Sequence, residues 1–578
     1  MIEKLKAWLD GLGWWKYVIA AATIYAATVS AVAVALHSIT KNFGWHINLS
    51  VFKLLGIAAA MDILIALCLY DKYGNVFTGG DQESITHGSA EFMRPAEIAK
   101  TYTVAKPQEG HGIPVGYKQG TKDVVHIDPS IYSNENILIV GESGRGKTRG
   151  LMIPAILECS RHGDSMVITD PKGELYANLA ATLHMQGYKV YRLIFNLQDM
   201  RFGNRFNPLD KAFGDGSGIY LREQVDMLYS ASSIDKSDPF WNSTSKNLLM
   251  AIIGYLQATI SKPSYGDVLD FVQDYSLEDI RYLFNNLPNE KRFYQARCNW
   301  NLVSSADDKV LSGIRTQMSA ALSIFTADNV RAVTACSDFS TDIVAREKAA
   351  IFVITDSGSS TYDALTSMFL SSCFRKVICY QDNVIADGGT PRKVRFMLDE
   401  LANIAKIQDI EMKLNTCRSR LVSVIAACQT IGQLKHIASD PQRYEELIGA
   451  FSYSIVLGSS DLETMNYFSS MAGESTVTDT AHDSSGAVRY TYTSRELIKP
   501  EEIRRIPRNE LILFHSGAQP LRLTKLNFND FVAGRLMKMD YRRRPPHSIG
   551  NDGNAPTSPN RPHKPTDSDD DTFSKPRF

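Results

Sequence analysis

The sequence predicts an α/β fold: a mainly parallel sheet with helices on both faces, interrupted by an all-helical insert. Three observations predict it. Gly141-Glu142-Ser143-Gly144-Arg145-Gly146-Lys147-Thr148 fits the phosphate-binding pattern G-x-x-x-x-G-K-[ST] at every fixed position, between an apolar run and a helix start. Short apolar runs with the character of buried strands alternate with helical or turn segments along much of the chain. Between about 205 and 335 the strand signal vanishes and apolar residues recur at helical spacing.

Taken from the N-terminus, residues 1–75 read as a two-helix transmembrane hairpin. Tyr17 to Leu36 are twenty uncharged, mostly apolar positions, enough to cross a hydrocarbon core of about 30 Å. A cleavable signal peptide is the competing reading; the length of the run and the second apolar run close behind it disfavour that. The second run, Leu54 to Tyr70, carries Asp62. A charge at mid-bilayer costs at least ~2.5 kcal/mol, so Asp62 faces protein or snorkels, unless this run is a buried helix of a soluble domain. Trp14, Trp15 and Tyr17 suit an interfacial belt. Lys4, Lys6 and Lys16 precede the first span, against Lys41 and Lys53 between the spans, which favours an internal N-terminus. Two spans then return the bulk of the chain to the cytoplasm as a two-pass protein of the cytoplasmic membrane.

A net charge of −1 over 578 residues gives no global electrostatic case for nucleic acid or anionic lipid, so any DNA contact needs a local basic surface. The eight cysteines include no C-x-x-C pair. That argues against a zinc knuckle or disulfide framework and fits a reducing compartment. The absence of H-E-x-x-H speaks against a membrane protease.

Buried strands are expected at Ile137–Val140, Met166–Thr169, Lys189–Ile194, Ile351–Ile354, Val394–Leu398, Leu421–Cys428, Ile455–Leu457 and Leu511–Phe514. They divide a nucleotide-binding domain into a first part, 76–204, and a second part, 336–541, around an all-alpha domain at 205–335. In that insert Leu248, Leu249, Ile252, Ile253 and Leu256 share a helical face, as do Val310, Leu311, Ile314, Met318, Leu322 and Phe325. Pro154 should kink or shorten the helix that follows the phosphate loop. Residues 542–578, rich in Pro, Ser, Asp, Asn and Arg and poor in apolar residues, read as a disordered tail.

The chemistry follows from the strand ends. Backbone amides of residues 141–148 converge on phosphate oxygens, Lys147 reaches the β/γ-phosphates of ATP, and the Thr148 hydroxyl holds Mg²⁺. Val394–Leu398 ends in Asp399-Glu400, where the aspartate can hold the metal shell and the glutamate can polarise the attacking water. Asp170, at the end of Met166–Thr169, is a rival for the metal; Asp399 is preferred because only it has a neighbouring carboxylate. Gln429 ends the next strand and suits a γ-phosphate or water sensor. Arg418 and Arg420, just before that strand, are candidates for an arginine finger reaching a neighbouring subunit.

In order along the chain, His87-Gly88-Ser89-Ala90, the phosphate loop, Asp170-Pro171-Lys172-Gly173-Glu174, Asn207-Pro208-Leu209, Asp238-Pro239-Phe240-Trp241, Leu398-Asp399-Glu400-Leu401-Ala402-Asn403, Arg418-Ser419-Arg420 and Gln429 resemble the TraG-type coupling ATPases of type IV secretion, from the N-terminal hairpin to about 535. The resemblance implies a membrane-anchored motor with a RecA-like P-loop NTPase domain and a substrate-facing all-alpha domain, working as a hexameric ring with ATP and Mg²⁺. It further implies that relaxase-bound single-stranded DNA, or protein substrates, are fed to the channel proteins of a type IV secretion system. By the same resemblance Asp399 is the metal aspartate, Glu400 the catalytic glutamate, Arg418 the arginine finger and Gln429 the strand-end glutamine. The stretch between the two spans is shorter than in many members. Protein-only secretion, an FtsK-like DNA pump and a nucleotide-stabilised membrane scaffold are the alternatives.

Overall fold

A computed structural model describes residues 88–536, apart from 129–133, 197–198, 211–217, 232–238, 357, 402–406, 408, 439 and 483–487. The expected membrane hairpin at 1–75 and the expected tail at 542–578 lie outside the described residues. Among the described residues, no helix is long and apolar enough to cross a membrane.

The larger of two compact units comprises, among the described residues, Ala90–Glu474 and those from Glu496 onward. Its sheet is built from β1 (Thr103–Ala105), β2 (Ile113–Lys118), β3 (Val124–Ile127), β4 (Ile137–Val140), β5 (Ser165–Asp170), β6 (Lys189–Ile194), β7 (Ala349–Ile354), β8 (Val394–Leu398), β9 (Val422–Cys428) and β10 (Tyr453–Val456), with two further strands near the C-terminus. In the other unit, β11 (Glu474–His482) and β12 (Val488–Glu496) pair as a separate ribbon. β13 (Glu510–His515) and β14 (Leu521–Thr524) complete the large sheet, whose order is β1-β3-β2-β14-β13-β10-β4-β9-β8-β5-β7-β6.

From β10 to β6 all neighbours are parallel. These strands are mostly apolar because both of their faces are largely covered, and β4, β7, β8 and β9 are buried at every position, whereas the edge strand β6 begins exposed at Lys189. β13 is antiparallel to β10, and β14, β2, β3 and β1 continue antiparallel beyond it. The sheet is therefore mixed rather than mainly parallel at this end, and the expected strand Leu511–Phe514 is the first to reverse direction. A parallel neighbour needs a long crossover, whereas β13 and β14 are joined by a short hairpin connection.

Between β6 and β7 the described residues carry no strand. Helix Pro239–Thr259 buries Leu248, Leu249, Ile252, Ile253 and Leu256. Helix Asp308–Ala321 and the turn Leu322–Thr326 bury Leu311, Ile314, Met318, Leu322 and Phe325, leaving Val310 only partly covered. Starts are set by side chains: Ser264 and Ser276 form reciprocal capping boxes with Asp267 and Asp279, and Asp307 accepts from the Val310 amide at 2.8 Å.

The buried Arg395 of β8 sits between two carboxylates, Glu135 at 2.6 Å and Asp164 at 2.9 Å. Such a charge is tolerated inside a sheet only because it is fully paired. The three residues tie the amino-terminal ends of β4, β5 and β8 together, leaving the carboxyl ends to carry the site.

Candidate nucleotide site

β4, β9, β8 and β5 are adjacent and parallel. Their carboxyl ends therefore deliver the phosphate loop, Gln429, Asp399-Glu400 and Asp170 to one edge of the sheet, the edge where open α/β sheets bind ligands. The loop starts where Gly141 donates to the Cys428 carbonyl at 3.2 Å and Glu142 to the Gly458 carbonyl at 3.4 Å. A Cβ on Gly141 would lie 2.8 Å from the Leu457 Cβ, and Gly144 and Gly146 hold φ of 76° and 84°, so all three positions require glycine.

A π-turn, Thr148–Met152, follows the loop, and an α-helix, Ile153–His162, continues from it. Pro154 is the second residue of that α-helix but the seventh of the continuous helical stretch from Thr148, so it has no N–H to offer the turn before it. The irregularity expected from this proline thus falls before it, in the widened turn.

Lys147 is buried, and its ammonium donates to the carbonyls of Gly141 at 2.6 Å and Glu142 at 3.3 Å. Burial lowers its pKa, while the carboxylates of Asp399 and Glu400 oppose that shift. The Thr148 hydroxyl donates to Asp399 Oδ2 at 2.8 Å, joining chain segments 251 residues apart. Asp399 Oδ1 is buried and has no hydrogen-bond partner among the described residues. Burial raises the Asp399 pKa against the Thr148 hydrogen bond, and the neighbouring Glu400 raises it further. A hydroxyl and a carboxylate with one unsatisfied oxygen are the hard oxygen donors that Mg²⁺ prefers, so these residues fit that ion.

Asp170 is engaged differently from Asp399. Its Oδ2 accepts from the Tyr176 amide at 2.8 Å, and burial pushes its pKa up to about 7 despite the backbone amides of Tyr176 and Leu175. Of the two rival aspartates, it is Asp399 that meets Thr148.

Lys147, Thr148 and Glu400 line a common cavity of about 330 Å³, together with Glu142, Ser143, Gly144 and Gly146. Glu400 holds φ of 54°, a left-handed conformation that is strained for a side chain of its size. Lys172 and Glu174, which the sequence left without a role, also line this cavity. Gln429 lies beside the loop but is not among the lining residues; its backbone N–H donates to Gln433 Oε1 at 2.9 Å. Arg418 precedes β9, at the opposite edge of the sheet. Seven residues of strand (Val422–Cys428) separate it from the site, roughly 20 Å at 3.3 Å per residue. It cannot serve the phosphates of its own chain. Arg420 is committed to Asp382 through two contacts of 2.6 and 3.0 Å, whereas Arg418 is exposed and makes no ion pair among the described residues.

Two loop side chains tie the loop to neighbouring segments. Glu142 Oε1 accepts from the Ser460 amide at 2.5 Å and from the Ser460 hydroxyl. Arg145 donates to the carbonyls of Ile506 at 3.1 Å and Arg504 at 3.3 Å. Lys525 completes the clamp, donating to the carbonyls of Arg145 at 2.6 Å and Arg508 at 2.7 Å. Sequence reading missed this clamp, because its acceptors are backbone carbonyls that leave no trace in residue identity.

The family model for type IV secretory system conjugative DNA transfer matches residues 89–548. Protein VirD4 of Agrobacterium fabrum is 22% identical over 412 residues, which cover 69% of this chain and 60% of that protein. The chain thus spans about three-fifths of the length of this curated relative. Among solved structures, the unbound bacterial conjugative coupling protein TrwB superposes with a TM-score of 0.57 at 18% identity, covering 81% of this chain and 99% of that one. TrwB in complex with a non-hydrolysable ATP analogue gives 0.54 at 18% identity, covering 76% and 93%. The mixed α/β sheet shares its fold with these structures.

Proposed function

Since this chain belongs to the type IV secretory system conjugative DNA transfer family, we propose that it is a membrane-anchored coupling ATPase, which recruits relaxase-bound single-stranded DNA to a secretion channel and drives transfer by ATP hydrolysis. The observation that carries this reading is the 2.8 Å bond from Thr148 to Asp399. It joins the residue that closes the phosphate grip to the strand end that carries the hydrolytic pair.

In this reading the amides of 141–148 and the Lys147 ammonium hold the phosphates, and Thr148 and Asp399 hold Mg²⁺. Held there, the ion would supply positive charge beside the transferred phosphoryl group. Glu400 accepts a proton from the attacking water, and Gln429 senses the terminal phosphate from the neighbouring strand end. Because Arg418 lies at the far edge of its own sheet, it acts on the site of an adjacent subunit, which requires a ring; a hexamer is the assembly proposed. The N-terminal hairpin anchors that ring in the cytoplasmic membrane, with the nucleotide-binding and all-alpha domains in the cytoplasm.

Steady-state hydrolysis measured with and without single-stranded DNA tests the proposal. DNA should raise the rate, and added salt should weaken the stimulation as phosphate contacts are screened. A rate indifferent to DNA, with protein export intact, supports the protein-only alternative instead.

A further inference from the structure

We infer that Lys172 is a second phosphate-binding lysine, reaching the outermost phosphate of the bound nucleoside triphosphate from the β5 side of the site. This rests on the ATP-hydrolysing reading above and extends it to a residue without a role there.

The local sequence builds a rigid mount. Asp170-Pro171-Lys172-Gly173 is a turn closed by the Gly173 amide on the Asp170 carbonyl at 3.2 Å. Pro171 restricts its first corner and Gly173 supplies φ of 72°. The Asp170 carboxyl, accepting from the Tyr176 amide at 2.8 Å, pins the same turn to the start of helix Glu174–Met185. Lys172 is the exposed residue of this turn, and it lines the cavity. A fixed backbone lowers the ordering cost of a contact from a long side chain.

The other lining cations are already placed. Lys147 is bonded to two loop carbonyls, and the Arg149 guanidinium stands 5.8 Å from the Phe528 ring centroid. Among the described residues, the Lys172 ammonium makes no hydrogen bond or ion pair, although its charge reaches both Lys147 and Asp399.

Sheet order then assigns the phosphate. β4 and β5 are separated by β9 and β8, so the two lysines approach from strands about 14 Å apart at 4.8 Å per strand. The loop after β4 grips the inner phosphates, and the Thr148–Asp399 pair lies between the two sides. A phosphate chain extending past that pair meets Lys172, which offsets the nearby carboxylates of Asp399 and Glu400.

The test is the affinity of the full chain for ATP and for ADP, each with Mg²⁺, in Lys172→Met and Lys172→Arg. Lys172→Met should lose about ten- to hundredfold in ATP affinity, the worth of a hydrogen bond to a charged group, and almost nothing for ADP. Lys172→Arg, which keeps the charge, should retain most of the preference for ATP. If the unsubstituted chain binds ATP and Lys172→Met weakens both nucleotides equally, or neither, this inference alone is overturned. An unsubstituted chain that binds no ATP removes the parent reading and this inference with it.

Discussion

A chain carrying Glu400→Gln is expected to hold ATP and fail to turn it over. Glu400 lines the cavity that Lys147 and Thr148 also line, and its strained backbone fixes where the carboxylate starts. The amide keeps the size and hydrogen-bonding reach of the side chain but cannot accept the proton of an attacking water. Loss of a general base costs about 10²- to 10⁴-fold in rate. Nucleotide affinity should stay near that of the unsubstituted chain, since the loop amides, Lys147 and the Thr148–Asp399 pair are untouched. Binding and steady-state hydrolysis measured on one preparation check this. Full turnover in the variant would remove Glu400 from the chemistry.

Lys147→Ala is expected to abolish hydrolysis and DNA transfer together. The ammonium is 6% exposed and is the hydrogen-bond donor for the Gly141 and Glu142 carbonyls. Its removal leaves those acceptors without their donor and strips the positive charge facing Asp399 and Glu400. Removing a charged donor aimed at a transferred phosphoryl group costs about two orders of magnitude or more in kcat/KM. Conjugation frequency in a strain carrying this substitution, with protein export measured alongside, should fall to background. Normal transfer would show that nucleotide chemistry at this loop does not drive the process.

The parts of the fold that the sequence announces are those buried on both faces. β4 is a continuous apolar run and β8 is one broken only by Arg395, and the limits of both coincide with the observed strands. The antiparallel arm is harder to see. β14 alternates buried and exposed positions over only four residues, Leu521 to Thr524, and β2 contains Pro114 and a register shift beside it. Such strands exist because of partners far away in sequence, and no local pattern declares them. Arg395 shows the same limit in the core: nothing in its apolar neighbours foretells that Glu135 and Asp164 will flank it.

The candidate site divides along similar lines. Gly144, Gly146, Lys147 and Thr148 are legible because one short loop must wrap a phosphate, and its geometry demands those residues at that spacing. Asp399 is legible as the end of a buried strand, but its preference over Asp170 becomes structural only with the Thr148 bond. Gln429 and Arg418 are near the right elements without lining the cavity; the first sits one strand end away and the second across the sheet. Lys172 is legible as part of a turn sequence, while its place on the cavity wall depends on the Asp170 and Gly173 geometry.

The claim at the centre is that Thr148 and Asp399 act on one metal–triphosphate group. A double-mutant cycle on Thr148→Val and Asp399→Asn, read as affinity for ATP with Mg²⁺ and again with EDTA, measures it directly. Residues that share a ligand should couple by about 1 kcal/mol or more with Mg²⁺ present, and the coupling should vanish with EDTA. Effects that simply add, within about 0.5 kcal/mol in both conditions, would contradict the account.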